Sequence, residues 1–544
     1  MKREWPHPYS DTFNTNFSAQ EEINKENALG LRVIWTAEIS PSVPEPERMW
    51  NQKQVGVQTT PLVVDGAVYL GDGYHIVHAF DAESGKRLWS FDSMAKAERH
   101  QTALHTLNFK GGLLYFIAAD MTLYGLDPKS GKVMKRFPDL AGGVPGVSPD
   151  AGYSGEAAPS FFEGSAIFGA STQGITVPKF SGRGVSENYY QASARGFVGS
   201  LDLEKGKVNW MWLSVPPAKR GPKKWHLEAR KGNILPYPRD WGTSDRIGGG
   251  GLWGTAAVDE SVRRVYFGTG NSDLFVYGDL DVPGPNLFTD CLVCLDARTG
   301  KMQWYYQATP HDLIGWDIGW NTIVADITIR GSKTRAVVAG SKNNHVYVLD
   351  AKTGKPLYAP IKVGYNSTPL NSELGNRADM ESVLKPGLYA PGHLGGINSP
   401  LAFAYNTIFA ASQRLDQVAK YYDAAYNGRK VKGVHLKHED TPEYSTLYAI
   451  DAARGEVKWA CFLETTFQSA AITVGGGLVF AIERGGVLHL LEAETGSQVG
   501  EFDLGGYGRA GTSLGSTRSG TVRAYVPISG KGGAPNKLVC LGLE

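Results

Sequence analysis

Four side chains with useful chemistry stand in three motifs in the middle of the chain. Trp253 and Asn271 belong to GLWGTAAVDESVRRVYFGTGN, Asp317 to TPHDLIGWDIGWN, and Lys342 to AGSKNNHVYVLD. An indole can stack on a planar ring, and an amide oxygen is a hard donor suited to Ca²⁺. A carboxylate can accept a proton, and an ammonium group stabilises charge that develops on oxygen. Together these residue types could hold a planar ligand and a hard cation beside a proton acceptor.

Each of these residues also has a purely structural interpretation. Trp253 could be a core tryptophan, and Asn271 could simply tolerate a left-handed turn after Gly270. Lys342 could be a solvated lysine at a hairpin tip. The choice depends on the elements that carry the motifs.

A recurring phrase, Asp-x-x-x-Gly-Lys-x-x-Trp, indicates those elements. Strong copies are FDAESGKRLW, LDLEKGKVNW, LDARTGKMQW and IDAARGEVKW, and weaker copies follow Leu126, Leu349 and Leu491. Each copy reads as strand, tight turn, strand, and several are preceded by a further strand pair. Four strands per unit predict a β-propeller blade. The repeat glycines are Gly85, Gly131, Gly206, Gly300, Gly354, Gly455 and Gly496.

The chain ends predict an eighth blade. LRVIWTAE near Leu31 supplies a lone tryptophan-bearing strand, and NKLVCLGLE at the C-terminus supplies the strand that normally precedes it. We therefore expect an all-β fold, an eight-bladed β-propeller with tryptophan-docking-type repeats, closed by N- and C-terminal strands. A β-solenoid or two smaller sandwiches are the alternatives. The whole of 1–544 is expected to be one domain, with loop insertions at about 140–195, 212–250, 272–290, 360–395 and 414–442.

Composition argues against several classes of function. The 544 residues contain 55 Lys and Arg against 54 Asp and Glu, so the net charge of +1 favours neither nucleic acid nor an acidic membrane surface as a partner. No apolar run approaches the length of a transmembrane segment, and the first residues lack the apolar stretch of a secretory signal. Cys291 and Cys294 are followed by Leu295 rather than His, which argues against covalent haem. We interpret both cysteines as strand residues.

The repeat and the motifs around Trp253 and Asp317 resemble the quinoprotein alcohol dehydrogenases, in which an eight-bladed propeller holds pyrroloquinoline quinone (PQQ) and a metal ion. The likeness covers nearly the whole chain. It implies that Trp253 is the floor under the quinone, that Asn271 ligates the metal, and that Lys342 faces the quinone's reactive carbonyl. It also implies that Asp317 is the catalytic base and borders the metal. Asp312 is the alternative to Asp317 in this role. Gly319 stands where lanthanide-using members carry an aspartate, so Ca²⁺ is expected.

The resemblance fails at one metal ligand. A glutamate expected before Arg195-Gly196 is missing, and Gln173 or Gly174 aligns there. Glu156 is the preferred replacement as a metal and cofactor ligand, and Glu187 is the alternative. The arginine expected near His100, Gln101 or Thr102 and the tryptophan expected near Gln468 are also absent, as is an adjacent cysteine pair. The remaining predicted cofactor contacts are Ser171, Thr172, Arg195, Asn398 and Gln468.

The resemblance implies a PQQ- and Ca²⁺-dependent dehydrogenase that oxidises an alcohol or another hydroxyl compound to a carbonyl. A separate electron acceptor, such as a cytochrome or a quinone, is the expected partner, and homo-oligomerisation stays open. The family location is periplasmic or extracellular, although a cytoplasmic location stays open because no signal peptide is evident. Two alternatives remain, namely a non-catalytic propeller scaffold and a quinoprotein that acts on a non-alcohol substrate.

Overall fold

Eight β-sheets follow one another along the described part of the chain in the computed structural model; each has four antiparallel strands, and one carries a fifth, parallel strand. The structure describes residues 3–41, 56–94, 104–142, 153–172, 195–215, 248–272, 285–312, 314–367, 387–426, 429–437 and 443–544. Each sheet is one propeller blade, so the predicted all-β, eight-bladed architecture is confirmed. Its one helical segment among the described residues is the 3-10 turn Ala28–Gly30.

The first four blades each pair four consecutive strands in antiparallel order. Blade 1 comprises Leu62–Val64, Ala67–Gly71, Ile76–Asp81 and Arg87–Asp92; blade 2 comprises Asn108–Lys110, Leu113–Ile117, Leu123–Leu126 and Val133–Phe137; blade 3 comprises Ser160–Phe162, Ser165–Gly169, Phe197–Asp202 and Lys207–Leu213; blade 4 comprises Ala257–Asp259, Arg264–Gly268, Cys291–Asp296 and Met302–Gln307. Cys291 and Cys294 are therefore buried strand residues, as predicted.

The last four blades repeat the pattern, and Phe17–Ser18 adds a parallel strand to blade 7. Blade 5 comprises Ile323–Ile329, Ser332–Ser341, His345–Asp350 and Ile361–Lys362; blade 6 comprises Ala402–Ala404, Thr407–Arg414, Tyr444–Asp451 and Glu456–Leu463; blade 7 comprises Thr473–Gly475, Leu478–Ile482, Val487–Glu492 and Gln498–Asp503; blade 8 comprises Ser513–Ser516, Val522–Ile528, Asn536–Gly542 and Arg32–Ser40.

Two small sheets lie outside the blades. One pairs Tyr153–Ser154 with Ser171–Thr172, and the other joins Gly387–Tyr389, Gln417–Tyr426 and Arg429–Lys437. Both belong to stretches that the sequence assigns to insertions. Most of the predicted insertions at 140–195 and 212–250 lie outside the described residues.

Blade 8 closes the ring as the sequence predicts. Arg32–Ser40 pairs antiparallel with Asn536–Gly542, and Trp35 lies opposite Cys540. A strand near the start of the chain and its last strand therefore share one sheet. Closure removes the two free edges that an open array of blades would expose.

The repeat phrase joins six pairs of neighbouring blades by the same type of contact. Trp210 of blade 3 donates its indole N–H to the Ala297 carbonyl of blade 4 at 3.1 Å. Its ring covers Gly300, where an added Cβ would lie 2.5 Å from Cδ2 and where φ is +66°. Asp296 holds this turn by accepting the backbone N–H of Thr299 at 2.9 Å. The same donor–carbonyl pairing joins Trp35 to Ala82, Trp89 to Pro128, Trp304 to Ala351, Tyr358 to Ala452 and Trp459 to Ala493.

The N-terminal segment ties several blades together near the central motifs. Asn14 donates its side-chain amide to the carbonyls of Thr255 and Thr322, at 2.8 and 3.0 Å. Asn16 donates in the same way to the Leu401 carbonyl at 2.7 Å. Thr255 follows Trp253 by two residues, and Thr322 follows the Asp317 motif. The segment thus helps to hold the motif-bearing loops at blades 4 and 5.

We expect Gly300→Ala to destabilise the protein more than Gly505→Ala. Both glycines have nearly the same φ, +66° and +64°, but Gly505 has open space where Gly300 faces the Trp210 ring. The left-handed backbone alone costs alanine about 1–2 kcal/mol, and crowding a packed ring adds about 1–3 kcal/mol. Denaturant unfolding followed by intrinsic fluorescence measures the difference. Equal losses of stability in the two variants would show that indole docking does not constrain this turn.

Candidate active site

The four residues that the sequence singles out lie where blades 4 and 5 meet. Trp253 precedes the first strand of blade 4, and Asn271 follows its second strand. Asp317 precedes the first strand of blade 5, and Lys342 follows its second strand. In an antiparallel blade these chain positions fall at the same end of the sheet. The topology therefore brings together residues that are up to 89 positions apart.

Asp317 contacts both Lys342 and Asn271. Its Oδ2 lies 2.5 Å from the Lys342 Nζ, and its Oδ1 accepts the Asn271 backbone N–H at 2.7 Å. The Lys342 Nζ also lies 4.7 Å from the centroid of the Trp253 ring. Asp317 and Lys342 are 4% and 6% exposed. A carboxylate, an ammonium group and an indole face are thus held within contact distance of one another.

Trp253 is half-buried and closely packed. A Cβ added to Gly319 would lie 2.3 Å from the indole, and one added to Gly270 would lie 3.1 Å from Nε1. The ring is 5.9 Å from Trp320, and the Trp253 carbonyl lies 3.4 Å from the His105 Nδ1. These contacts fix the plane of the indole, as a stacking floor requires.

Asp312 is committed to its own loop. Its two carboxylate oxygens accept the backbone N–H groups of Ile314, Gly315 and Trp316, at 2.5–3.1 Å. Burial raises the pKa of Asp312 to about 6, although these three N–H donors act in the opposite direction. The geometry therefore assigns Asp312 to loop structure and favours Asp317 for chemistry.

Among the predicted contacts in and around blade 3, Glu156 lies near His105, and the others lie near Tyr153. Glu156 is 2% exposed, and its Oε2 lies 3.6 Å from the His105 Nδ1. Arg195 is buried, and its backbone N–H donates to the Tyr153 hydroxyl at 2.8 Å. Ser171 and Thr172 form the short strand that pairs with Tyr153–Ser154. The alternative ligand Glu187 lies outside the described residues, as do Gln173, Gly174 and the 100–102 stretch.

Asn398 and Gln468 lie toward blades 6 and 7. The Asn398 Oδ1 accepts the indole N–H of Trp320 at 3.0 Å, and its amide donates to the Leu394 carbonyl at 3.2 Å. Asn398 thereby fixes the ring that packs on Trp253. Gln468 is half-buried in the loop before blade 7.

Sequence reasoning missed three groups near this site. The His105 ring packs 5.1 Å from Trp320, and burial lowers the pKa of His105 to about 4. Arg509 acts electrostatically on His105, its Nε is buried without a hydrogen-bond partner, and burial lowers the pKa of its guanidinium. Asp290 is fully buried at the start of a blade 4 strand. No motif in the sequence marked any of the three.

The described side chains fit a flat, anionic redox ligand and a hard cation. The Trp253 face supplies a stacking surface, and the unpartnered Nε of Arg509 is a donor for a carboxylate such as those that PQQ carries. Asn271 uses its amide nitrogen on the Ser272 carbonyl at 2.6 Å, which leaves Oδ1 as an oxygen donor beside Asp317. No three His, Cys, Asp or Glu side chains converge on a point within the part of the chain that the structure describes. A metal here would therefore be held by amide and carboxylate oxygens together, the set that suits Ca²⁺.

Comparison with known proteins identifies relatives of this chain and solved structures of similar fold. The chain is 27% identical to the dehydrogenase subunit of the quinone alcohol dehydrogenase of Gluconacetobacter polyoxogenes over 91% of its own length and 67% of the relative's. It is 24% identical to the quinohemoprotein alcohol dehydrogenase of Comamonas testosteroni over 92% of its length and 69% of the relative's. The crystal structure titled as the quinohemoprotein alcohol dehydrogenase from Comamonas testosteroni superposes with a TM-score of 0.79 at 22% identity, covering 99% of this chain and 80% of that one.

Within the described residues, no helix has the length and apolar character needed to cross a membrane. The profile of the PQQ glucose/ethanol/alcohol dehydrogenase β-propeller domain matches residues 5–369. That match covers more than half of the 544 residues. This chain therefore belongs to the PQQ-dependent glucose/ethanol/alcohol dehydrogenase β-propeller family of oxidoreductases.

Proposed function

We propose that this protein is a PQQ- and Ca²⁺-dependent dehydrogenase that oxidises an alcohol or another hydroxyl-bearing small molecule to a carbonyl. The observation that carries the proposal is the contact of Asp317 with Lys342 and of Lys342 with the Trp253 face. These are the parts that such a reaction requires, namely a base, a cation and a stacking floor.

Asp317 is the proposed base. Its carboxylate is oriented by the Asn271 N–H and by the Lys342 ammonium group, so it faces the space beside the indole rather than its own loop. A substrate hydroxyl that binds there gives its proton to this carboxylate as the carbon–hydrogen bond breaks. Asp312 is a poorer base because three backbone N–H groups occupy its oxygens.

Lys342 stabilises the negative charge that develops on oxygen during oxidation. Its Nζ is buried between Asp317 and Trp253, where the surroundings hold few competing water molecules. An ammonium group held in such a place stabilises an anionic oxygen more than it would in water. A bound quinone supplies the oxidising power, as the acceptor of the hydride that leaves the alcohol carbon.

Ca²⁺ is the proposed metal, held by the Asn271 Oδ1 and by Asp317, with Glu156 as a further predicted contact. Gly319 contributes no carboxylate, and a Cβ there would meet the Trp253 ring at 2.3 Å. A second aspartate at this position is therefore incompatible with the observed packing. A site with fewer carboxylates favours Ca²⁺ over a more highly charged ion.

In this proposal, the electrons pass to a separate acceptor, such as a cytochrome or a quinone. The family resemblance also supports a periplasmic or extracellular location. The same proposal includes the remaining predicted cofactor contacts, Arg195, Ser171, Thr172, Asn398 and Gln468. Asn398 acts through Trp320, because it accepts the hydrogen bond of that indole N–H.

We expect Trp253→Ala to weaken PQQ binding by about tenfold, since stacking adds about 0.5–1.5 kcal/mol beyond the buried area. Equilibrium dialysis of purified protein with PQQ and Ca²⁺, read by quinone absorbance, measures the affinity. Trp89→Ala, which removes a docking tryptophan of blade 1, is the control: it should lower stability and leave the affinity unchanged. Absence of PQQ binding in the parent protein would instead support a non-catalytic scaffold.

We expect Asp317→Asn to lower kcat by about 10²–10⁴-fold while the protein still binds PQQ, because the amide cannot accept the hydroxyl proton. The assay uses an artificial electron acceptor and a panel of alcohols. Asp312→Asn is the matched control, with a lower melting temperature but a kcat within a few-fold of the parent. A kcat that falls only in the Asp312 variant would identify Asp312 as the base. Bound PQQ without turnover of any alcohol would point to another substrate class.

A further inference from the structure

Arg509 carries a positive charge that the proposed reaction does not use. Its side chain is half-buried, and its Nε is fully buried without a hydrogen-bond partner. Burial lowers the pKa of Arg509, and the neighbouring cation Arg484 lowers it further; no acid among the described residues opposes them. An arginine side chain stays charged in proteins. A guanidinium with a buried, unpaired Nε therefore calls for an anionic partner.

Glu483 lies close to Arg509, but its carboxylate is engaged elsewhere. A Cβ on Gly508, the residue before Arg509, would lie 2.4 Å from the Glu483 carbonyl oxygen. The Glu483 Oε2 accepts the Thr465 N–H at 2.9 Å, and Oε1 lies 3.8 Å from the His489 Nε2. Glu483 therefore does not neutralise the guanidinium.

Arg509 occupies the position in blade 8 that Trp253 occupies in blade 4. Each stands four residues before the first strand of its blade, as do Asn398 in blade 6 and Glu156 in blade 3. Radially repeated blades place equivalent residues at equivalent points around the axis. Neighbouring members of this set touch, since a Cβ on Gly319, the blade 5 member, would lie 2.3 Å from the Trp253 ring.

Blade 8 stands opposite blade 4 in the closed ring of eight, so the Arg509 position lies across the axis from Trp253. The Arg509 Nη1 lies 3.5 Å from the point that a Cβ on Gly56 would occupy, ahead of the first strand of blade 1. Burial lowers the pKa of His105, and Arg509 lowers it further, while the His105 Nδ1 lies 3.4 Å from the Trp253 carbonyl oxygen. The guanidinium is therefore at the same end of the ring as the indole.

We propose that Arg509 is a cofactor-binding residue whose guanidinium holds a carboxylate of the quinone that stacks on Trp253. The inference rests on the proposed function, because it concerns the same cofactor. It gives a cation to a site that lacks the arginine expected at 100–102. The N–H groups of a guanidinium match the two oxygens of a carboxylate. With Lys342 beside Trp253 and Arg509 across the axis, the two cations fix how the ring is turned in its plane.

The first experiment is equilibrium dialysis with PQQ and Ca²⁺, read by quinone absorbance. We expect Arg509→Gln, which keeps a long polar side chain but removes the charge, to bind PQQ about 10–100-fold more weakly, as the loss of a hydrogen bond to a charged group predicts. Arg484→Gln is the matched control, because it removes an exposed positive charge from the same region. Its affinity should change by less than about fivefold, the range of exposed charges.

A derivative of PQQ with methyl-esterified carboxyl groups tests for direct contact. The parent should bind free PQQ more tightly than the ester, and Arg509→Gln should reduce that preference by about tenfold or more, because the missing guanidinium no longer distinguishes a carboxylate from a neutral ester. Arg484→Gln should keep the preference. A preference that stays unchanged in Arg509→Gln would contradict direct contact, even if both ligands bind more weakly.

Thermal unfolding separates binding from a role in the fold. Without ligand, Arg509→Gln should melt at or above the parent temperature, because the variant removes a charge that the protein leaves without a partner. PQQ should raise its melting temperature less than that of the parent. A lower melting temperature without ligand, together with an unchanged rise on adding PQQ, would assign Arg509 to the fold instead.

Failure of this inference differs from failure of the proposed function. If Arg509→Gln binds PQQ and its ester as the parent does, while Trp253→Ala binds PQQ more weakly, Arg509 is not a ligand and the proposed function stands. If the parent binds no PQQ, the proposed function fails, and the assignment of Arg509 fails with it.

Discussion

The buried contact between Asp317 and Lys342 is the interaction on which the site depends. Two charged groups that are only 4% and 6% exposed need each other, because either one alone would be a costly unpaired charge. Their backbones also touch, since the Lys342 N–H donates to the Asp317 carbonyl at 3.2 Å. The pair fixes a carboxylate and an ammonium group next to the Trp253 face. A carboxylate that can accept a proton and a cation that can stabilise negative charge therefore share one small volume.

The contacts of this pair with Trp253 and Asn271 require that blades 4 and 5 keep a fixed spacing. Asp317 and Lys342 come from separate segments of the chain, and Trp253 and Asn271 come from the neighbouring blade. Each docked indole closes the gap to the next blade with one hydrogen bond and one ring–glycine contact, as between Trp210 and Ala297. The strand pairing in blade 8 prevents the ring from opening. The repeated surface contacts thus maintain the geometry at the centre.

Some charged groups at the site have partners and others do not, and this pattern suits a bound cofactor and a metal. Asp317 is matched by Lys342, and Asp312 is satisfied by its loop. The Arg509 Nε is buried without a hydrogen-bond partner. Native structures seldom leave such groups unpaired. An anionic group beside Arg509 would satisfy its Nε, and an anionic quinone would supply such a group.

The sequence by itself determined the repeat, the blade count, the closure by the two ends and the four central residues, because each depends on a local phrase or motif. The described contacts place Trp253, Asn271, Asp317 and Lys342 together, and their roles stay predictions. Only the tertiary structure revealed Asp290, His105 and Arg509. Asp312 and Asp317 look equivalent in sequence, and only the hydrogen bonds to Asp312 mark it as a loop cap and leave Asp317 as the candidate base. Burial and pairing depend on neighbours distant in sequence, which no local pattern records.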